Sequence, residues 1–536
     1  AGVVTALAVL LVLWALVAPN ELERLTPGAF VRLPLEALLG VALALALPAR
    51  PRRVLAVVVG LGLGLLTIGK AVDMGFYAVL ARPFDPMFDW ASVGAGVEFI
   101  QTEYGRAGAI GAVVAAGVLA GTVLVAVTLA VLRLARLVVR HDVAARRAVA
   151  VLTVGWVALA AAGVRLAPDA PVAASSAASL AYDRVLGIGT GLRDREVFAA
   201  ELAVDAFADT PGADLLTGLR GKDVIVAFVE SYGRDAVEDP EFAPRIGAVL
   251  DAGNRRLAAA GYAARSGFLT SSTAGGNSWL AHATLLSGLW INNQQRYRRL
   301  VDSDRLTLNR AFRRADWRTV AVMPGITRAW PEGEFFGNDR VYDSRNLGYQ
   351  GRQFAFGTMP DQYTLSAFER AERAGRAAAD RKPLMAEIAL ISSHGPWTPV
   401  PRLIDWADVG DGSVFAAQVA AAEAAGQPAG GWRDATRVRA AYREAIEYSL
   451  ETLLSYVQTH GGDDLVLVFL GDHQPAPIVT GAGASRDVPI TIVARDRAVL
   501  ARTAGWGWQD GLKPGPTAPV WPMNAFRDRF LAAFSR

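Results

Sequence analysis

A serine at the first position of a helical pattern, with a histidine one turn on, suits nucleophilic chemistry. The stretch "SSTAGGNSWLAHATLLSGL" (271–289) has this form: small polar residues run to Ser278, and His282 follows four residues later. The first turn of a helix presents free N–H groups and the positive end of its dipole, both of which favour anions. A cation on the Ser278 hydroxyl would lower its pKa and produce an alkoxide near neutral pH. The same N–H groups can hold a phosphoryl oxygen as charge builds in a transition state. Gly275 and Gly276 leave room for backbone to approach a substrate. The alternative is an ordinary N-cap serine.

Three further clusters carry donor atoms: "FVESYG" around Glu230, "SSHGPW" (392–397) with His394, and "GDHQP" (471–475) with Asp472 and His473. Each has a structural alternative. A glutamate ending a strand can be a solvated end or a cap, and Asp-His before Gln-Pro can be an Asx turn. The chain has five histidines, and His282, His394 and His473 all fall at such junctions. Carboxylate, imidazole and alkoxide donors together suit one divalent ion such as Mn²⁺, Mg²⁺ or Zn²⁺.

These residues need a frame. Strand-like runs occur at "DVIVAFVE" (223–230), "RTVAVMP" (318–324), "LMAEIALISS" (384–393), "DLVLVFLGD" (464–472) and "VPITIVAR" (488–495). Helical patterns lie between them at 242–260, 279–289, 306–315 and 435–459. Continuous Val/Ile/Leu strands alternating with helices predict an α/β domain with a mostly parallel central sheet, covered on both faces. Such sheets bind ligands beyond the carboxyl ends of their strands, and the donor clusters fall there. The Ala/Gly-rich stretch 414–431 reads as a surface insertion.

The first third differs in character. The chain has 536 residues, 52% of them hydrophobic, and the excess sits in apolar runs at 3–18, 33–47, 54–68, 107–132 and 148–166. A membrane span needs ~20 apolar residues, with ~17 as a lower limit. The runs predict a multi-span α-helical membrane domain of about five helices over 1–167, a stem at 168–220 and a catalytic domain at 221–536. Arginines concentrate in "ARPRR" (49–53) and "RLARLVVRHDVAARR" (133–147), which read as cytoplasmic loops and place the catalytic domain on the extracytoplasmic side of the cell membrane. The aromatic stretch "FYAVLARPFDPMFDW" (76–90) suits a membrane interface. A net charge of only +3 gives no case for nucleic acid. Cysteine is absent, so thiolate and disulfide chemistry is excluded. No Met opens the chain, and a trimmed N-terminus is the expectation.

Together these motifs resemble the alkaline phosphatase superfamily, specifically its sulfatase-like membrane branch. "SWLAHATLLSG" keeps the spacing of a sulfatase nucleophile stretch, with Ser278 at the nucleophile position and "LLSG" at the helix end. Leu280 and His282 stand where sulfatases carry Pro and Arg, which argues against formylglycine maturation and for an unmodified serine. Within the branch, the chain resembles lipoteichoic acid synthases and related phosphoglycerol transferases. Ethanolamine-phosphate transferases are a sister option, although they usually carry disulfides.

The resemblance implies one divalent metal, Mn²⁺ first and Mg²⁺ or Zn²⁺ as alternatives, held by Glu230, Ser278, Asp472 and His473. It implies Ser278 as nucleophile and His394 as acid/base or phosphate-binding residue, with Asn277, His282, Trp330 and Trp397 toward the substrate. In "MPGITRAWPEGEFFG", Met323 and Glu332 occupy the positions of the expected His and Arg, so head-group recognition differs. Two-metal members show Asp-x-x-x-His; here Asp361 is followed by Leu365, which favours a single metal. The expected activity is phosphotransfer from a membrane phospholipid donor to a hydroxyl of a cell-envelope glycan or polymer, through phospho-Ser278. Hydrolysis by the same nucleophile and an inactive scaffold of the same fold are the alternatives.

Overall fold

The computed structural model describes residues 2–167, 170–354, 357–374, 381–426 and 434–536. Two units divide the chain: Ala1–Ala78 with Arg82–Glu196, and Val79–Ala81 with Val197–Arg536.

In the first unit the apolar runs form helices α1 (Gly2–Val17), α2 (Leu35–Ala46), α3 (Ala49–Leu80), α4 (Trp90–Arg140) and α5 (Asp142–Ala161). Among the described residues, three helices are long and apolar enough to cross a membrane: α3, the Tyr104–Arg140 part of α4, and α5. At 16 and 12 residues, α1 and α2 are apolar but shorter. The expected basic loops are helical instead. "ARPRR" opens α3, and "RLARLVVRHDVAARR" is the end of α4 and the start of α5, with only His141 between them. Arginine has a high helix propensity and lays its stem along apolar surface, so a charged run need not break a helix. Two polar side chains of α3 are satisfied inside the unit. Lys70 Nζ donates to the Ala15 carbonyl at 2.9 Å, and Asp73 pairs with Arg184 and accepts from Asn20 Nδ2 at 2.9 Å.

The segment read as a stem is mostly α6 (Ser176–Ala203), a 28-residue helix. Proline is absent between Pro171 and Pro211, so nothing stops it earlier. Beyond it, Leu215, Leu216 and Leu219 are fully buried in the second unit's core, as is Phe198. These four residues belong to the core of the second unit.

The second unit is built on nine strands: β1 (Asp223–Val229), β2 (Ala263–Thr270), β3 (Arg318–Met323), β4 (Arg340–Asp343), β5 (Leu384–Leu390), β6 (Leu465–Gly471), β7 (Asp487–Ala494), β8 (Gln509–Asp510) and β9 (Val520–Pro522). Their order is β8-β2-β7-β6-β1-β5-β3-β4, with β9 also pairing β2. From β6 to β4 all neighbours are parallel, whereas β7 runs antiparallel to both β6 and β2. The five strand-like runs in the sequence are all strands, so the α/β architecture with a mostly parallel sheet holds. The sequence reading missed β2, "AARSGFLT", whose Arg, Ser and Gly interrupt any apolar run. Its neighbours supply what it lacks: Ser266 Oγ lies 2.9 Å from Thr491 Oγ1.

Burial explains why the runs are continuous. Every residue of β1 is buried, with Ile225, Ala227 and Val229 in one apolar layer and Val224, Val226 and Phe228 in the other. The first layer is closed by α7 (Ala243–Ala259) and α10 (Ala435–His460). The second is closed by α8 (Ser278–Ser287), α9 (Leu308–Arg314) and α11 (Ala525–Phe534). Leu467 of β6 is 1% exposed, so Leu467→Ala should lower stability by about 2–5 kcal/mol, read as a lower thermal midpoint.

The stretch expected as a surface insertion contains a helix, Ala416–Ala424, with Phe415 and Val419 buried in the first layer. Alanine is the best helix former and its small side chain packs closely, so low complexity here does not mean a loose loop. Residues 427–431 of that stretch lie outside the described residues.

Candidate active site and metal centre

Sheet register gathers the donors. Val229 of β1 is paired with Gly471 of β6 on one side and Leu390 of β5 on the other. The next residues, Glu230, Asp472 and Ile391, therefore leave three adjacent parallel strands at the same edge. Gly471 is required there by close approach: a Cβ on it would lie 1.8 Å from the Tyr232 carbonyl oxygen. Ser231 takes a left-handed backbone, φ 58°, costly for a residue with a Cβ. Two hydrogen bonds hold it, Ser231 N to Asp472 Oδ1 at 2.8 Å and Ser231 Oγ to Glu230 Oε1 at 2.9 Å.

Glu230, Asp472 and His473 are all buried, and each offers a ligand atom within 4.8 Å of the others. The Ser278 hydroxyl donates to Glu230 Oε2 at 2.9 Å and lies 3.1 Å from His473 Nε2. His473 Nδ1 donates to the Gln474 carbonyl at 2.8 Å, which turns Nε2 inward. Asp472 uses Oδ1 for the Ser231 and His473 amides, while its Oδ2 is sealed from solvent with no hydrogen-bond partner. An orphaned carboxylate oxygen among a second carboxylate, an imidazole and a hydroxyl fits a divalent cation.

The electrostatics agree. Burial alone would raise Glu230, but the neighbouring His473 imidazole outweighs it and holds that carboxyl well below the usual range. Burial and repulsion from Glu230 raise Asp472 to about 6. His473 would be lowered by burial, yet the Asp472 and Glu230 carboxylates raise it to about 9. In the absence of a metal, a proton on His473 thus balances the two acids.

Ser278 is not the cap of its helix. Asn277 holds the N-cap position in a left-handed conformation, φ 64°, with no side-chain cap bond, and Ser278 is the first residue of α8. The hydroxyl is therefore directed to Glu230 and His473. The preceding loop is clamped to the "GDHQP" segment, with Ser271 Oγ donating to the Asp472 carbonyl at 2.6 Å and Gly275 N to the Gln474 carbonyl at 2.8 Å.

The "SSHGPW" turn packs against the same edge. Ser393 Oγ donates to the Glu230 carbonyl at 2.6 Å, and the charge of His394 contributes to lowering Glu230. His394 Nδ1 is 2.6 Å from the Gly395 carbonyl. Trp397, expected toward the substrate, lies at the end of this turn. Its ring is buried against Tyr442 and its Nε1 donates to the Ser393 carbonyl at 2.6 Å, so it supports the turn. Trp330 stacks on Phe336 with centroids 5.7 Å apart and packs against the second apolar layer.

Asp361 also has a defined role. Its Oδ1 accepts from Ser392 N at 2.9 Å and its Oδ2 from Ser449 Oγ at 2.6 Å, so it anchors the turn before His394. Complete burial raises its pKa from 3.8 to about 6. A raised carboxyl favours the fold below its ordinary pKa, and that contribution is lost as pH climbs through about 6, amounting to about 3 kcal/mol. Asp361→Asn should therefore match or exceed the native melting temperature at pH 8, flatten its dependence between about pH 4 and 6, and leave metal content unchanged. Loss of one metal equivalent would instead make Asp361 a ligand.

Three contributors had little sequence signal. Ser231 and Ser271 are single small residues in turns. Glu387 is one acid inside the apolar run "LMAEIAL", 2% exposed and bonded to His282 Nδ1 at 2.9 Å.

No known protein family profile matches the chain, and no curated protein sequence matches it. Solved structures do. One is the lipoteichoic acid synthase LtaP from Listeria monocytogenes, at 16% identity over 58% of this chain and 71% of that one, TM-score 0.38. Another is the C-terminal periplasmic domain of EcEptC from Escherichia coli, at 10% identity over 59% and 82%, TM-score 0.38. A third is the Streptococcus pyogenes phosphoglycerol transferase GacH in complex with sn-glycerol-1-phosphate, at 11% identity over 63% and 91%, TM-score 0.36.

Proposed function

We propose that this chain is a membrane-anchored phosphotransferase that moves a phospho-head group, such as glycerol phosphate, from a phospholipid to a hydroxyl of a cell-envelope glycan or polymer. The observation that carries the reading is the Ser278 hydroxyl at 2.9 Å from Glu230 and 3.1 Å from His473, beside the unpartnered Oδ2 of Asp472. Glu230, Ser278, Asp472 and His473 would hold one divalent ion; mainly oxygen donors with one imidazole suit Mn²⁺, with Mg²⁺ and Zn²⁺ as alternatives. That ion supplies a Lewis acid that lowers the hydroxyl pKa and offsets phosphoryl charge.

Glu230 receives the Ser278 hydroxyl hydrogen bond and directs Oγ toward phosphorus. Attack forms the Oγ–P bond and breaks the P–O bond to diacylglycerol, which leaves with a proton. The acceptor hydroxyl then attacks the phospho-Ser278 diester, gives up its proton, and Oγ returns as the leaving group. His394, beside Glu230, carries the proton at the leaving and attacking oxygens. The free N–H groups of the first turn of α8 hold the non-bridging oxygens. Anchoring by the apolar helices presents a slowly diffusing lipid at high local concentration, with the catalytic unit on the extracytoplasmic face of the cell membrane.

The test is intact-mass and peptide mapping of the full chain in detergent after incubation with phosphatidylglycerol and Mn²⁺. A glycerol-phosphate adduct on the Ser278 peptide is expected. Free glycerol phosphate with no acceptor product would make the enzyme a hydrolase. No adduct, no product and no bound metal would leave a scaffold.

A further inference from the structure

His282 lies four residues after Ser278 on α8, so the two side chains share a face with Cβ atoms ~5–6 Å apart. Its ring is held on two sides. Nδ1 donates to Glu387 Oε1 at 2.9 Å, and the ring face stacks on Phe228 with centroids 3.6 Å apart at 15°. Its Nε2 makes no hydrogen bond within the protein and is not sealed from solvent, while the side chain is 12% exposed.

Glu387 sits in the middle of β5, in register with Val226 and Ala321, where a carboxylate is costly unless its oxygens are satisfied. Asn309 of α9 satisfies Oε2 at 3.0 Å, and the same amide reaches Asn338 Oδ1 at 3.0 Å. An isolated structural carboxylate could be satisfied by amides alone. Here the second oxygen is given to an imidazole whose opposite nitrogen is open, on the helix that carries the nucleophile. A carboxylate accepting from Nδ1–H leaves Nε2 an acceptor in the neutral ring, and its negative charge favours the imidazolium, in which both nitrogens donate.

We propose that Glu387 and Asn309 are positioning residues that hold His282 so that, as the imidazolium, its Nε2–H donates to a non-bridging oxygen of the phosphoryl group at Ser278. This rests on the phosphotransferase reading. The ligand chemistry is a tetrahedral phosphoryl oxyanion, shared by a lipid phosphodiester and free phosphate. His282 thereby replaces a permanent cation with an imidazolium whose orientation is set from within the sheet.

The experiment uses the full Mn²⁺-free chain in detergent with histidine-selective ¹⁵N labelling; five histidines keep the spectrum assignable, with His282→Gln as reference. Inorganic phosphate is the titrant. The proposal expects His282 to be protonated at both ring nitrogens with phosphate bound, its Nε2 resonance to move with phosphate, and Glu387→Gln to bind phosphate about 10-fold more weakly at an unchanged melting temperature. Glu387→Asp should recover most of that loss. If Glu387→Gln does not fold, Asn309→Ala decides, with about 3-fold weaker binding expected. Phosphate that leaves the His282 resonances in place, or a Glu387→Gln protein that binds phosphate as the native one does, overturns the proposal. A phosphate-responsive His282 in a chain that forms no lipid adduct on Ser278 would overturn the phosphotransferase reading and leave the positioning network standing.

Discussion

Ser278→Ala is expected to lower the proposed transfer from phosphatidylglycerol by about 10⁴-fold or more and to abolish the proposed covalent adduct. The hydroxyl is the only group in the cluster that can form a stable ester with phosphorus while lying within hydrogen-bond reach of both Glu230 and His473. Its removal takes away the bond-forming atom, whereas the surrounding N–H groups and carboxylates remain and leave a small residual rate. The fold should survive, because the hydroxyl does not cap α8 and Asn277 already occupies the N-cap. The measurement is single-turnover product formation together with the mass of the Ser278 peptide. A variant within about 10-fold of the native rate would remove Ser278 from the chemistry.

The second large effect is proton-linked metal binding. The metal-free site keeps a proton on His473, whose pKa is raised to about 9 by Asp472 and Glu230 against the pull of burial. A cation held as proposed would take His473 Nε2, so at pH 7 binding should expel about one proton. Because the group is raised, the proton competes throughout the range below about 9, and apparent affinity should climb by up to tenfold per pH unit toward that value. Calorimetry in two buffers of different ionisation enthalpy measures the released proton directly. Asp472→Asn deletes the charge on the orphaned oxygen and should weaken binding by more than the ~10–100-fold typical of losing a supporting partner. Affinity independent of pH between about 6 and 9, with no proton released, would show that His473 is not a ligand.

Much of the site was legible because its residues end apolar strands. Glu230, His394 and Asp472–His473 each follow a Val/Ile/Leu run, and runs that are buried on both faces have little freedom in where they stop. Ser278 was legible from the turn-to-helix change in composition. The packing of Trp397 on Tyr442 was not legible, because an aromatic next to a histidine motif reads the same whatever its ring touches. The basic runs near residues 50 and 140 misled for a related reason: arginine continues a helix as readily as it decorates a loop.

By itself, the order of apolar and polar residues determined the two-part organisation, the central strands and the chemical types available at their ends, because burial periodicity is a local property of the chain. Only the tertiary structure decided which of those ends meet. Pairing of Val229 with Gly471 and Leu390 set three chain ends side by side, and contacts spanning 48 and 195 residues brought Ser278 to Glu230 and His473. It likewise made Asp361 the anchor of the turn before His394 and placed Glu387 behind His282. Distances of this kind depend on sheet register and helix docking, which are sums over many distant contacts and leave no trace in any short stretch of sequence.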